Sequence, residues 1–93
     1  MRLLHADEVT AQLGRHDHWQ HIDDRLCCEF TFDDARQAQS VAAQVAEESE
    51  EMQHPCETDV AGRKVTFSLT SPDAGGVTQQ DVELAFRIDR LLP

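Results

Sequence analysis

The chain has 93 residues, with 18 Asp and Glu against 8 Lys and Arg, for a net charge of −10. A chain of this length forms one domain, expected over 1–93, and buries roughly 60–65% of its unfolded surface. The acidic balance excludes nucleic acid and anionic membrane as direct partners, because both are recognised through Lys and Arg, and no apolar run nears the ~20 residues of a membrane span.

Residues 6–13 read as a short helix with Val9 and Leu13 on one side, stopped by Gly14. His16 to Ile22 reads as a strand entrance, and Asp23-Asp24 as a turn. Arg25 to Phe32 alternates, with Leu26, Cys28, Phe30 and Phe32 facing one way, which is the pattern of a half-buried strand. Asp33 is the expected N-cap of a long helix running to about Glu51, whose apolar face is Ala35, Ala38, Val41, Ala42, Val45 and Ala46. Pro55 ends it. Cys56 to Ala61 reads weakly as a strand, Gly62-Arg63 as a turn, and Lys64 to Thr70 as a strand burying Val65, Phe67 and Leu69. Thr78-Gln79-Gln80-Asp81 has the form of a capping box opening a last helix to about Leu92, with Val82, Ala85, Phe86, Ile88 and Leu92 inward. The order αββαββα implies an α+β two-layer sandwich: a four-stranded antiparallel sheet with three helices on one face. Its open edges and outer face offer dimerisation surfaces.

Few constellations carry chemistry. His16, His18 and His21, with Asp17, Asp23 and Asp24 nearby, could supply metal ligands, but no second cluster completes a site, and a polar surface loop is the preferred reading. No metal and no cofactor is expected. Three Cys, two of them adjacent at Cys27 and Cys28, make a poor disulfide framework, and the N-terminus lacks a signal-like apolar run. A reducing, cytoplasmic compartment is therefore expected. Cys28 reads as core and Cys27 as facing away from the helices. Gly75-Gly76 lacks a neighbouring Lys and is a poor anion site. Glu47, Glu48, Glu50 and Glu51 crowd the C-terminal end of the long helix, which already carries partial negative charge. The usual account is a solvated face. Because the helix gains nothing locally from these acids, they are also candidate partner-binding residues for a basic protein surface.

Glu29-Phe30-Thr31-Phe32-Asp33-Asp34, Val41-Ala42, Ala46-Glu47, His54-Pro55 and Gly76-Val77-Thr78-Gln79-Gln80-Asp81, followed by Leu84-Ala85 and Ile88-Asp89, resemble the pterin-4a-carbinolamine dehydratases. Trp19 stands where that family often has a Trp before its first strand. The resemblance implies the fold read above and, in the family, dehydration of a 4a-hydroxytetrahydropterin by histidines that exchange protons near neutrality. The family pattern has paired histidines before the proline and a third at the end of the last strand. Here the pair is Gln53-His54, and the third position falls at Ser71 or Pro72, depending on a one-residue gap. Aromatics that usually follow the His-Pro step are replaced by Cys56-Glu57-Thr58-Asp59-Val60-Ala61, in a chain with no Tyr at all.

Two of three catalytic histidines are thus missing by this alignment, and the resemblance implies a non-catalytic member that binds another protein. Among relatives with a degraded site, one role is Rubisco assembly in α-carboxysome-bearing bacteria, so the resemblance implies an assembly factor or chaperone for Rubisco, a homodimer, associated with carboxysomes. The alternative is a working dehydratase with His54 as acid/base and Asp81 assisting. A pterin-binding module without turnover is a third reading.

Overall fold

A computed structural model describes residues 2–14 and 18–93. Its elements run α1 (Ala6–Leu13), β1 (Trp19–Ile22), β2 (Arg25–Thr31), α2 (Ala35–Met52), β3 (Glu57–Ala61), β4 (Lys64–Leu69) and α3 (Gln79–Leu91). The order αββαββα matches the sequence reading. The strands form one four-stranded antiparallel sheet in the order β1-β2-β4-β3.

Alternation in β2 and β4 fixes the register. Leu26 pairs with Leu69, Cys28 with Phe67 and Phe30 with Val65, so the apolar side chains of both strands share the face toward the helices. Leu26, Val65, Phe67 and Leu69 are fully buried there, and Val45, Val82, Leu84, Ala85 and Ile88 close over them from α2 and α3. Burial of each of the Val, Leu, Ile and Phe side chains contributes about 1.5–3 kcal/mol, which makes this the main source of stability. Trp19 is also buried, and its indole N–H donates to Asp89 Oδ1 at 2.8 Å, tying β1 to α3.

Several boundaries differ from the sequence reading for local reasons. The cap of α2 is Asp34, not Asp33: its carboxylate accepts from the Gln37 backbone N–H at 2.7 Å, while Gln37 Oε1 accepts from the Asp33 N–H at 3.3 Å. Either acid satisfies the spacing rule, and the side-chain reciprocity with Gln37 selects the second. Ala35 and Ala46 lie exposed, because the buried stripe of α2 is the narrower Ala38-Val41-Val45 row. On α3, Phe86 and Leu92 are only half-buried, and Leu84 and Asp81 take core positions instead. β3 begins at Glu57, one residue after Cys56, and all five of its residues are exposed, as an edge strand's can be. Asp23 and Gly62 adopt positive φ (54° and 64°) in the two hairpin turns.

No described helix is long and apolar enough to cross a membrane.

Candidate functional site

The site is assembled where the end of α2, the end of β4 and the start of α3 meet. Helix α2 stops in a Schellman turn: the Gln53 N–H donates to Glu50 O and the His54 N–H to Ser49 O, both at 3.0 Å, with Gln53 in the left-handed region at φ 52°, ψ 43°. The Ser49 hydroxyl also donates to the His54 carbonyl. This turn drives His54 inward while Gln53 remains exposed. Pro55 then forces the chain to leave extended, toward β3.

From the other side, β4 ends at Leu69 and the chain reverses through 72–75, closed by the Ser71 N–H donating to Gly76 O at 2.8 Å. A Cβ at Gly76 would meet Leu3 Cδ1 at 2.8 Å, so a side chain there would have to displace that of Leu3. Thr78 caps α3, and the capping box read from sequence is present: the Thr78 N–H donates to Asp81 Oδ2 at 2.9 Å.

Asp81 does more than cap. Its Oδ2 also accepts from the Ser71 hydroxyl at 2.8 Å, and the Thr78 hydroxyl, 2.8 Å from Ser71 Oγ, completes the chain by donating to it. Its Oδ1 is hydrogen-bonded to His54 Nε2. All four residues are buried, Asp81 completely. A buried carboxylate is costly unless its lone pairs are filled, and here each oxygen has a partner. Of the two candidate positions for the third histidine, Ser71 is buried against Asp81 and Pro72 is exposed at the cleft. Above the network lies an open cleft of about 250 Å³ lined by Gln53, His54, Pro55, Ser71, Pro72, Asp73 and Gln80. The structure thus brings Gln53, His54, Ser71, Pro72 and Asp81 together. Sequence reasoning missed Thr78 as a network member and Gln80 and Asp73 as lining residues; the capping-box spacing was the signal that placed the first two near Asp81.

None of the four acids of α2 lines this cleft. Arg87 on α3 donates to Glu48 at 2.9 Å and to Glu51 at 3.5 Å, whereas Glu47 and Glu50 have no side-chain partner among the described residues. The premise that α2 gains nothing from its acids therefore needs correction: Glu48 and Glu51 bridge to the neighbouring helix. Both carboxylates hold the Arg87 guanidinium pKa above its ordinary value, Glu48 most by its hydrogen bond. Of the histidine cluster, His16 and Asp17 lie outside the described residues. Among the described residues, no group of three or more His, Cys, Asp or Glu side chains is placed to hold a metal. Cys28 is buried, and Cys27 half-buried on the outer face of the sheet.

Comparison with known proteins adds the family. Residues 2–91 match the model of the pterin 4 alpha carbinolamine dehydratases, and the chain belongs to that family. A protein of Picosynechococcus sp., named provisionally as a pterin-4-alpha-carbinolamine dehydratase, is 33% identical over 84 residues, covering 90% of this chain and 91% of its own. Among solved structures, a transcriptional coactivator/pterin dehydratase from Brucella melitensis superposes with a TM-score of 0.90 at 27% identity, covering 100% of both chains. A pterin dehydratase-like protein identified as a RuBisCO assembly factor in the α-carboxysome has the same fold, with a TM-score of 0.65 at 20% identity over 78% of this chain and 84% of its own.

Proposed function

We propose that this chain is a dehydratase-fold protein that acts by binding a protein partner rather than by turning over a pterin. One observation carries the reading: of the two positions to which the family resemblance gives the third histidine, Ser71 offers only a hydroxyl, which donates to Asp81, and Pro72 has no group that exchanges a proton. Gln53 takes the place of another histidine, and neither an amide nor a hydroxyl exchanges protons near neutrality. Of the described residues lining the cleft, His54 alone carries an imidazole. General acid–base groups contribute typically ~10²–10⁴-fold each, so a site reduced to one retains little of the reaction. The client proposed is Rubisco, with this chain acting as a homodimeric assembly factor or chaperone in the cytoplasm in association with α-carboxysomes. This rests on the family resemblance. The acids on α2 proposed to meet it are Glu47, Glu48, Glu50 and Glu51, of which Glu47, Glu50 and Glu51 are exposed and Glu48 is partly buried. No cofactor is invoked.

The test is a dehydratase assay on the pure protein with 4a-hydroxytetrahydropterin generated in place. The expected rate is that of the uncatalysed reaction. Robust turnover that His54→Ala abolishes would overturn the reading in favour of the enzyme. For the client, Rubisco co-expressed with this chain should assemble in higher yield than without it, and equal yields reject Rubisco.

A second reading, an active dehydratase, is favoured by one specific feature. A buried acid holds His54 by Nε2, the arrangement that orients an imidazole for proton transfer at its other nitrogen.

A further inference from the structure

Resting on the protein-binding reading, we propose that the cleft beside His54 receives an arginine side chain of the partner. The cleft is rich in acceptors. Oδ2 of Asp81 already takes two donors, the Ser71 hydroxyl and the Thr78 amide, which is the pattern of a carboxylate acting only as acceptor. Oδ1 therefore accepts from Nε2–H of His54, and in the neutral imidazole the tautomer assigned from this network leaves a lone pair at Nδ1. The His54 side chain is only 4% exposed and lines the cleft, and Nδ1 has no hydrogen-bond partner among the described residues. Around it stand the Asp73 carboxylate and the amides of Gln53 and Gln80, none of them engaged by another side chain among the described residues. Among the described residues no Lys or Arg lines the cleft, and the whole chain carries a charge of −10.

Such a site asks for a cation with several donors. Guanidinium is planar, fans its N–H groups toward several acceptors at once and is weakly hydrated on its faces, which suits a cleft walled by the rings of Pro55 and Pro72. A lysine ammonium is a compact, strongly hydrated charge and fits these walls less well.

The test is titration of the isotope-labelled protein with N-acetyl-arginine-N-methylamide, followed by NMR at the His54 imidazole nitrogens and the side-chain amides of Gln53 and Gln80. Saturable shifts at these groups are expected. The neutral citrulline analogue should bind roughly tenfold more weakly, since it loses the charge on the donors. Asp73→Asn, on an exposed loop, should weaken the arginine compound roughly fivefold or more. Equal binding of the citrulline or lysine analogues, absence of saturation, or indifference to Asp73→Asn would overturn the assignment. So would a tetrahydropterin that holds the cleft against the arginine compound. Failure of these arms alongside a null dehydratase assay rejects the ligand and leaves the protein-binding reading standing; turnover in that assay rejects the reading itself.

Discussion

The imidazole of His54 and the carboxylate of Asp81 are hydrogen-bonded through Nε2 and Oδ1, with side chains 4% and 0% exposed. The pair fastens the end of α2 to the first turn of α3. It couples two separate local devices, a Schellman turn and a capping box, into one buried network with Ser71 and Thr78. The same carboxylate that stabilises a helix start also sets which nitrogen of His54 faces the cleft.

Asp81→Asn separates these two roles. An amide can keep its oxygen on the Thr78 N–H and Ser71 hydroxyl, which turns its NH₂ toward His54 Nε2 and moves the imidazole proton to Nδ1. Nitrogen chemical shifts of the imidazole should report the tautomer reversed. Loss of a charge-assisted network costs roughly 1–3 kcal/mol, read as a lower urea midpoint with unchanged slope. An unchanged tautomer would show that Asp81 does not orient the ring.

Arg87 is the counterpart on the surface. It is 36% exposed and reaches Glu48 and Glu51 across the α2–α3 seam. Arg87→Gln should lower the urea midpoint only slightly, because pairs this exposed are screened and entropically costly. Glu50→Gln should leave stability unchanged or slightly raised, since it removes a charge from a helix C-terminus that disfavours it. Urea melts of both variants decide the matter: a larger loss for Glu50→Gln than for Arg87→Gln would reverse the assignment of which acids are structural.

The limits of the sequence are visible at these residues. Period and alternation placed all seven elements, and Thr78-to-Asp81 spacing marked the capping box, because these are local patterns. What spacing could not show was the second partner of a residue already explained. Asp81 had a sufficient role as a cap, so its bond to His54, 27 positions away, had no separate signature. Glu48 and Glu51 looked unfavourable on α2 alone, because their compensation comes from Arg87, 39 and 36 residues on. Ser71 and Pro72 were equivalent until the loop closure onto Gly76 fixed which one turned inward.

Gln53 holds a left-handed conformation that ordinary side chains enter at a cost of roughly 1–2 kcal/mol. The Schellman turn that delivers His54 demands it. Gln53→Gly should raise the urea midpoint by relieving this strain, less the extra freedom glycine gives the unfolded chain, for a net gain of about 0.5–1 kcal/mol. A loss of stability would mean that the Gln53 side chain makes a contribution larger than its backbone strain.

Glu8 ties the start of α1 to the chain before it. Arg2 donates to both its carboxylate oxygens, at 2.9 and 2.7 Å, and the His5 N–H donates at 3.1 Å. The Arg2 hydrogen bond, above all, lowers the Glu8 pKa from 4.5 to about 2. A depressed folded pKa gives stabilisation that is complete above 4.5 and disappears as pH falls toward 2. A carbon-detected NMR titration should place the Glu8 midpoint in that depressed range at low salt. It should rise with added salt, as an exposed pair requires, and return to the ordinary range in Arg2→Gln. An ordinary midpoint in the unmodified chain would show that the pair does not persist in solution.

The three cysteines should separate by burial. Desolvation pushes the Cys28 thiol up to about 12, and it also raises Cys56, whose shift is partly offset by hydrogen bonds from Thr58 and the Ser68 backbone. Alkylation proceeds through the thiolate, so at pH 8 both are held in the unreactive form and Cys28 is in addition shielded from reagent. Cys27 lies on the opposite face of β2, half-exposed. Iodoacetamide under native conditions should therefore modify Cys27 first and Cys56 more slowly. Cys28 should react only at the rate at which the sheet opens, so its labelling should accelerate with urea in step with global unfolding. Peptide mass mapping resolves the adjacent pair. Early labelling of Cys28 in native buffer would mean that β2 opens independently of the core, and that the register pairing Cys28 with Phe67 is not the stable heart of the sheet.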